Sequence, residues 1–156
     1  MAGLRWSTLL LIVVVGATPA WSKAVEFTFN DVVVSIDVPP DMEVRKPTPP
    51  PPDFLLYDVM SQGTRLVSIY IGNAPQKPDV RKEKFRTGLI AGCKAYSLDR
   101  PENGGLGRDT FVLLNPPSGA PQVVHFFYGG LTAAQARQAD TVVMSLKPVR
   151  GDGCGR

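Results

Sequence analysis

Polar and apolar residues alternate clearly near the start of this chain. Val25, Phe27 and Phe29 alternate with Glu26, Thr28 and Asn30, the pattern of a half-buried strand. Asn30 and Asp31 both tolerate a tight turn. Val32, Val34, Ile36 and Val38 then share one face of a second strand, which Pro39-Pro40 ends. A second hairpin follows. Leu55, Tyr57 and Val59 line its first strand, Ser61-Gln62-Gly63 turns the chain, and Val67, Ile69 and Ile71 line its second, with Ser68 and Tyr70 opposite. Cys93 to Leu98 reads as a short strand, and Thr110 to Leu114 as another. Between the hairpins and these strands, residues 76–92 give mixed signals. Asp79 suits a helix cap, whereas Phe85, Thr87 and Leu89 alternate, so the segment is read as mostly irregular.

The strongest pattern lies between Val123 and Lys147. Val123-Val124-His125-Phe126-Phe127-Tyr128 is almost wholly apolar, as in a strand covered on both faces. Gly129-Gly130 is read as the break after it. Thr132, with Gln135 three residues on, forms a capping box, and Leu131 stands where a hydrophobic staple would. Ala136, Ala139, Val143 and Leu146 fall on one helical face with Val142 beside them, and Pro148 marks the stop. The predicted fold class is therefore α+β: an antiparallel sheet built from hairpins, with a C-terminal helix packed on one face. The predicted organisation is a leader over 1–22, a single domain over 23–148 with a proline-rich spacer at 46–53, and a flexible tail over 149–156.

The first 22 residues change the picture most. Arg5 precedes the apolar run Leu9 to Val15, and small residues follow at Gly16, Ala17, Ala20 and Ser22. This is the pattern of a cleavable signal peptide, with cleavage after Ser22 or after Ala20. The run is far shorter than the roughly 20 apolar residues a membrane anchor needs. The expected location is thus periplasmic or secreted, with membrane contact only through the leader. Removing residues 1–22 takes Arg5 from the 17 bases and nothing from the 14 acids, leaving 16 against 14, or +2. That balance argues against a nucleic-acid partner. The basic run Lys77 to Arg86 is diluted by Asp79 and Glu83 and reads as a solvated face. The proline run at 47–52 reads as a stiff spacer, with docking to an aromatic groove as its alternative role.

Little of the remaining chemistry is specific. Cys93 and Cys154, the two cysteines, are expected to form one disulfide in an oxidising compartment. His125 is the single histidine, so any Ser–His or Cys–His pair must use it, with Cys93 or Ser118 as nucleophile. No nucleophile elbow marks either one. In the alternation His125 shares a face with Val123 and Phe127, as a structural or sheet-surface histidine does. Asp99, Glu102 and Asp109 lack the spacing of a calcium loop, and Gly104-Gly105-Leu106-Gly107 lacks the lysine of a phosphate loop. No cofactor or metal is expected. Tyr57, Tyr70, Phe126 and Tyr128 sit on strands and are candidates for a shallow binding surface.

The order of elements resembles the small exported proteins with a PsbP-like fold. The resemblance rests on the opening hairpin ending in proline, Val32 to Pro40. It also rests on the finish, Val124 to Tyr128 followed by a helix ending Val142-Val143-Met144-Ser145-Leu146-Lys147. It implies an antiparallel sheet flanked by helices and a non-enzymatic accessory or binding role. The chain departs from that family in lacking clear helices before the last one. The expected function is a non-enzymatic binder of a protein or small ligand in the cell envelope. The alternatives are a small hydrolase or transferase using His125 and an envelope docking protein using the proline run.

Overall fold

A computed structural model describes residues 22–46, 53–73, 84–116, 119, 122–150 and 154. Residues 1–21 of the expected leader (1–22), the proline run (47–52), residues 74–83, Ser118 and most of the tail lie outside the described residues. The elements are β1 (Lys23–Phe29), β2 (Val32–Val38), β3 (Met42–Arg45), β4 (Leu55–Ser61), β5 (Thr64–Gly72), β6 (Arg86–Ile90), β7 (Cys93–Asp99), β8 (Leu106–Leu113), β9 (Val123–Leu131), α1 (Ala133–Met144) and β10 (Lys147–Arg150).

The mostly antiparallel sheet with one C-terminal helix is as expected, but there are two sheets rather than one. Seven strands form the larger, in the order β3-β4-β5-β9-β8-β7-β6. The opening hairpin does not join it. Instead β1, β2 and β10 make a separate three-stranded sheet, in the order β1-β2-β10. Both hairpins expected from the alternation are present, and the Gln62-Gly63 turn has φ of 48° and 79°, the left-handed pair that fits the strands' twist. The sheets meet on one side of the larger sheet. There Val34, Ile36 and Phe27 share a core with Val59, Ile69, Val112, Val124 and Phe126.

Helix α1 packs into the same core through Ala136, Ala139, Val142 and Val143. Each of those valines contributes roughly 1.5–3 kcal/mol by its burial. Thr132 accepts from the Gln135 N–H, and the Gln135 side chain accepts from the Thr132 N–H, so the capping box forms as read. The helix ends at Met144, before Pro148. Ser145 closes it and accepts from the Asp37 N–H at 2.9 Å, and Lys147 pairs with Asp37 at 2.7 Å, fastening the helix end to β2.

Several expectations are corrected. Residues 86–90, expected to be irregular, form β6, an edge strand whose residues are mostly exposed. Val149 and Arg150, expected in the tail, belong to β10. Pro148 lies in that strand too, which is tolerated because β10 is an edge and needs no donor there. Gly129-Gly130 does not break β9, which runs on to Leu131. The pair is instead a β-bulge. Between Leu106↔Leu131 and Arg108↔Tyr128, β9 spends one residue more than β8, and Gly130 takes φ of 68° there.

Candidate functional site

The larger sheet has one face under α1 and the small sheet and a second that is helix-free among the described residues. On the helix-free face, cross-strand neighbours Tyr70, His125, Phe111 and Tyr96 form a row running across β5, β9, β8 and β7. The His125 ring stacks on Phe111, 4.0 Å between centroids and 12° from parallel, and Phe127 lies 5.0 Å from it. Phe85 meets Tyr96 and Phe111 edge-on. Lys94 lies over Tyr96. Phe111 is only 5% exposed, so much of this aromatic surface is spent on itself.

Beside the row runs a polar chain. His125 Nε2 lies 2.8 Å from Asp109 Oδ1, and Arg100 Nε meets the other oxygen of the same carboxylate. Both His125 and Asp109 are half-buried, with side chains 17% and 16% exposed. A carboxylate held by a histidine and a guanidinium fixes the ring's orientation. Ser68, also on this face and 2% exposed, donates its hydroxyl proton to Asp58 at 2.5 Å rather than to His125. Among the described residues no Ser–His–Asp relay is assembled.

This chain of groups flanks a groove of about 810 Å³ lined by Thr64 to Val67 on one wall and Phe127 to Leu131 on the other, with Arg100, Glu102 and Asp109 at its side. Its origin is a split between two central strands. The β5–β9 ladder stops at Ser68↔Phe127. Beyond it β5 continues pairing only with β4, to Thr64, and β9 only with β8, to Leu131. Each of the splayed strands carries a bulge at this point: Leu66 is the extra residue in β5, between Val59↔Val67 and Met60↔Arg65, and Gly129-Gly130 holds the one in β9. Bulges bend a strand and increase its twist, which drives these two apart.

The side of the groove is the β7–β8 hairpin, prolonged past its strands by Arg100–Gly107 and Glu102–Gly105 backbone bonds and turned at Asn103-Gly104. It lies so close to β9 that a Cβ on Gly129 would strike the Glu102 carboxylate, and one on Gly105 the Gly130 backbone. Glycine is required at 105, where the obstacle is backbone, whereas at 129 the flexible Glu102 side chain can swing aside.

The residues singled out from sequence are not gathered at one place. Tyr57 packs against Phe27 at 4.7 Å on the helix side, Phe126 is 1% exposed in the core, and Tyr128 donates to Asp140 of α1 at 2.8 Å. Burial, and then the Asp140 hydrogen bond and charge, push the Tyr128 hydroxyl far above its ordinary range. Tyr70 alone of the four lies on the helix-free face, its ring tilted against that of Phe54 at 4.8 Å. Cys93 and Cys154 are joined as a disulfide, 4.6 Å between Cα atoms. Cys93 is thereby bound, on the face opposite His125. Arg100, Asp109, Arg65 and Glu102 had no signal as a group, because strand order brings them together.

Arg108 makes a second polar cluster under the helix, its Nη1 donating to both oxygens of Asp140 at 2.7 Å and its Nε to Asp99 at 2.8 Å, which also holds Arg86. Burial opposes the Arg108 charge, but the Asp99 hydrogen bond and the carboxylates around it outweigh that and raise its pKa. The cluster clamps α1 to the sheet. No group of acidic, histidine or cysteine side chains suited to a metal ion occurs among the described residues. Among the described residues, no helix is long and apolar enough to cross a membrane. Comparison with protein-family models, with curated proteins and with solved structures finds no match to this chain.

Proposed function

We propose that this is an exported, non-enzymatic accessory protein that holds a partner or small ligand on the helix-free face of its larger sheet. The observation that carries this reading is the open groove between β5 and β9, placed beside the fixed Arg100–Asp109–His125 chain. Such a groove unites an apolar floor with a few oriented polar groups, the usual make-up of a binding site. Export is supported by the leader pattern in residues 1–22 and by the Cys93–Cys154 bond, which belongs in an oxidising compartment.

The test is a mass spectrum of the protein recovered from its native host, under native and then denaturing conditions. A chain starting at Lys23 or Trp21, carrying a mass that departs on denaturation, supports the proposal. A full-length chain with no associated mass, whatever the growth condition, counts against it.

One observation favours a second reading, acid–base catalysis, since a histidine bonded to a carboxylate is half of a general-base pair. His125→Gln separates the two. Biological effect retained with the fold intact removes the enzyme reading, and that effect lost at unchanged binding supports it.

A further inference from the structure

We infer that the occupant of the β5–β9 groove is an extended polypeptide segment of about four residues, added to the sheet as a strand; this rests on the binding role proposed above. The walls are the argument. Thr64–Val67 and Tyr128–Leu131 are strand backbone on both sides, and no backbone hydrogen bond crosses between them among the described residues. Backbone donors and acceptors facing a groove are satisfied by water until a better partner arrives, and an incoming strand offers matching groups at matching spacing. The polar groups of a small ligand would satisfy few of them.

Size agrees. Four extended residues span about 13 Å at about 3.3 Å each. Spread over that length, the groove's 810 Å³ gives a cross-section of about 62 Å². A strand occupies about 48 Å², from a strand spacing of about 4.8 Å and a sheet spacing of about 10 Å. The groove's volume is of the order that one strand needs.

Charge then narrows the partner. Arg100 and Asp109 neutralise each other at the groove's side. Arg65 on the β5 wall and Glu102 at the hairpin side have no ion-pair partner among the described residues, and they stand on opposite sides of the groove. The segment that fits carries an acidic side chain toward Arg65 and a basic one toward Glu102. The bulges keep the site open. They prevent β5 and β9 from zipping together, which would erase both edges.

The experiment uses the purified protein and a phage-displayed random heptapeptide library, followed by synthetic copies of enriched peptides. Enrichment of peptides with an acid and a base is expected. Amide shifts should be confined to Thr64–Ser68 and Phe127–Leu131, affinity should fall at least tenfold when alternate peptide amides are N-methylated, and Arg65→Glu should weaken acidic peptides about tenfold. N-methylation without effect, or shifts elsewhere, overturns the strand model. So does hydrogen exchange showing the Arg65–Val67 and Tyr128–Gly130 amides all as protected as those of the β8–β9 ladder, since the walls would then be already paired. A small molecule that comes with the protein from its host and shifts these residues, while no peptide binds, would defeat this inference and leave the binding role standing.

Discussion

His125 bonds to Asp109 across a diagonal of the sheet, not across a rung. The residue opposite His125 is Phe111, and the one opposite Asp109 is Phe127, yet the ring and carboxylate meet at 2.8 Å. A diagonal contact of this kind needs the twist of the sheet to bring the two side chains together. It is held from the far side by Arg100.

Asp109→Ala should therefore leave two donors without their acceptor in a half-buried place. A loss of about 1–3 kcal/mol is expected, read from the shift in a urea-unfolding midpoint. Asp109→Asn, which keeps one acceptor oxygen, should lose less. Equal losses would mean that packing rather than hydrogen bonding sets the cost.

Val143→Asp places a carboxylate among Ala136, Ala139 and the sheet, at a position 4% exposed. The substitution should cost more than about 4 kcal/mol and abolish cooperative melting. Thr132→Ala removes only the cap and should cost about 1 kcal/mol.

Tyr128 supplies an alkaline signature. Its folded pKa is raised above the unfolded value, so the neutral hydroxyl is preferred in the folded state. The stability this contributes is complete below about pH 10, the ordinary tyrosine value, and is lost as pH climbs beyond it. Tyr128→Phe should start less stable, having lost the bond to Asp140, and should show a shallower decline above pH 10. Parallel curves for the two proteins would show that Tyr128 ionises as it would in water.

Gly107→Ala and Gly88→Ala make a matched pair in strands of the same sheet. A Cβ at Gly107 would collide with the Arg100 carbonyl oxygen, whereas one at Gly88 meets nothing within 4 Å. The first should cost several degrees of Tm or more. The second should be neutral or slightly stabilising, since alanine lacks glycine's extra unfolded freedom.

Reducing the Cys93–Cys154 bond opens a loop of 61 residues of sequence separation. Chain-entropy reasoning puts its loss at about 4 kcal/mol, read as a lower urea midpoint in dithiothreitol.

How much of this could be read beforehand depended on distance along the chain. The capping box at Thr132 and Gln135, the turn at Gln62-Gly63 and the alternation of β2 and β5 are local, and each was legible. The four-residue strands β3 and β10 were not, because a stretch as short as Lys147–Arg150 carries no periodicity and its partner Val33–Ser35 lies more than a hundred residues away. Strand β6 hid for another reason: Arg86 to Leu89 are all exposed, so the alternation of Phe85, Thr87 and Leu89 marks no buried face. At the site, His125 stood out by being alone, and its place with Val123 and Phe127 was readable from alternation. Asp109 and Arg100 were hidden because their meeting depends on strand order and twist. Gly129-Gly130 misled for a physical reason, since a glycine pair suits a bulge as well as a break.

The small sheet has one more consequence. Its edge strand β10 lies more than a hundred residues downstream of its partner β2. A chain emerging from its N-terminus can form the β1–β2 hairpin early but must leave one edge of it bare until β10 arrives. For that interval, Val33 to Ser35 present an open strand edge to whatever is near. Premature termination after α1 would thus do its damage at the opposite end of the sequence, and a chaperone that guards this protein during synthesis has a natural place to wait.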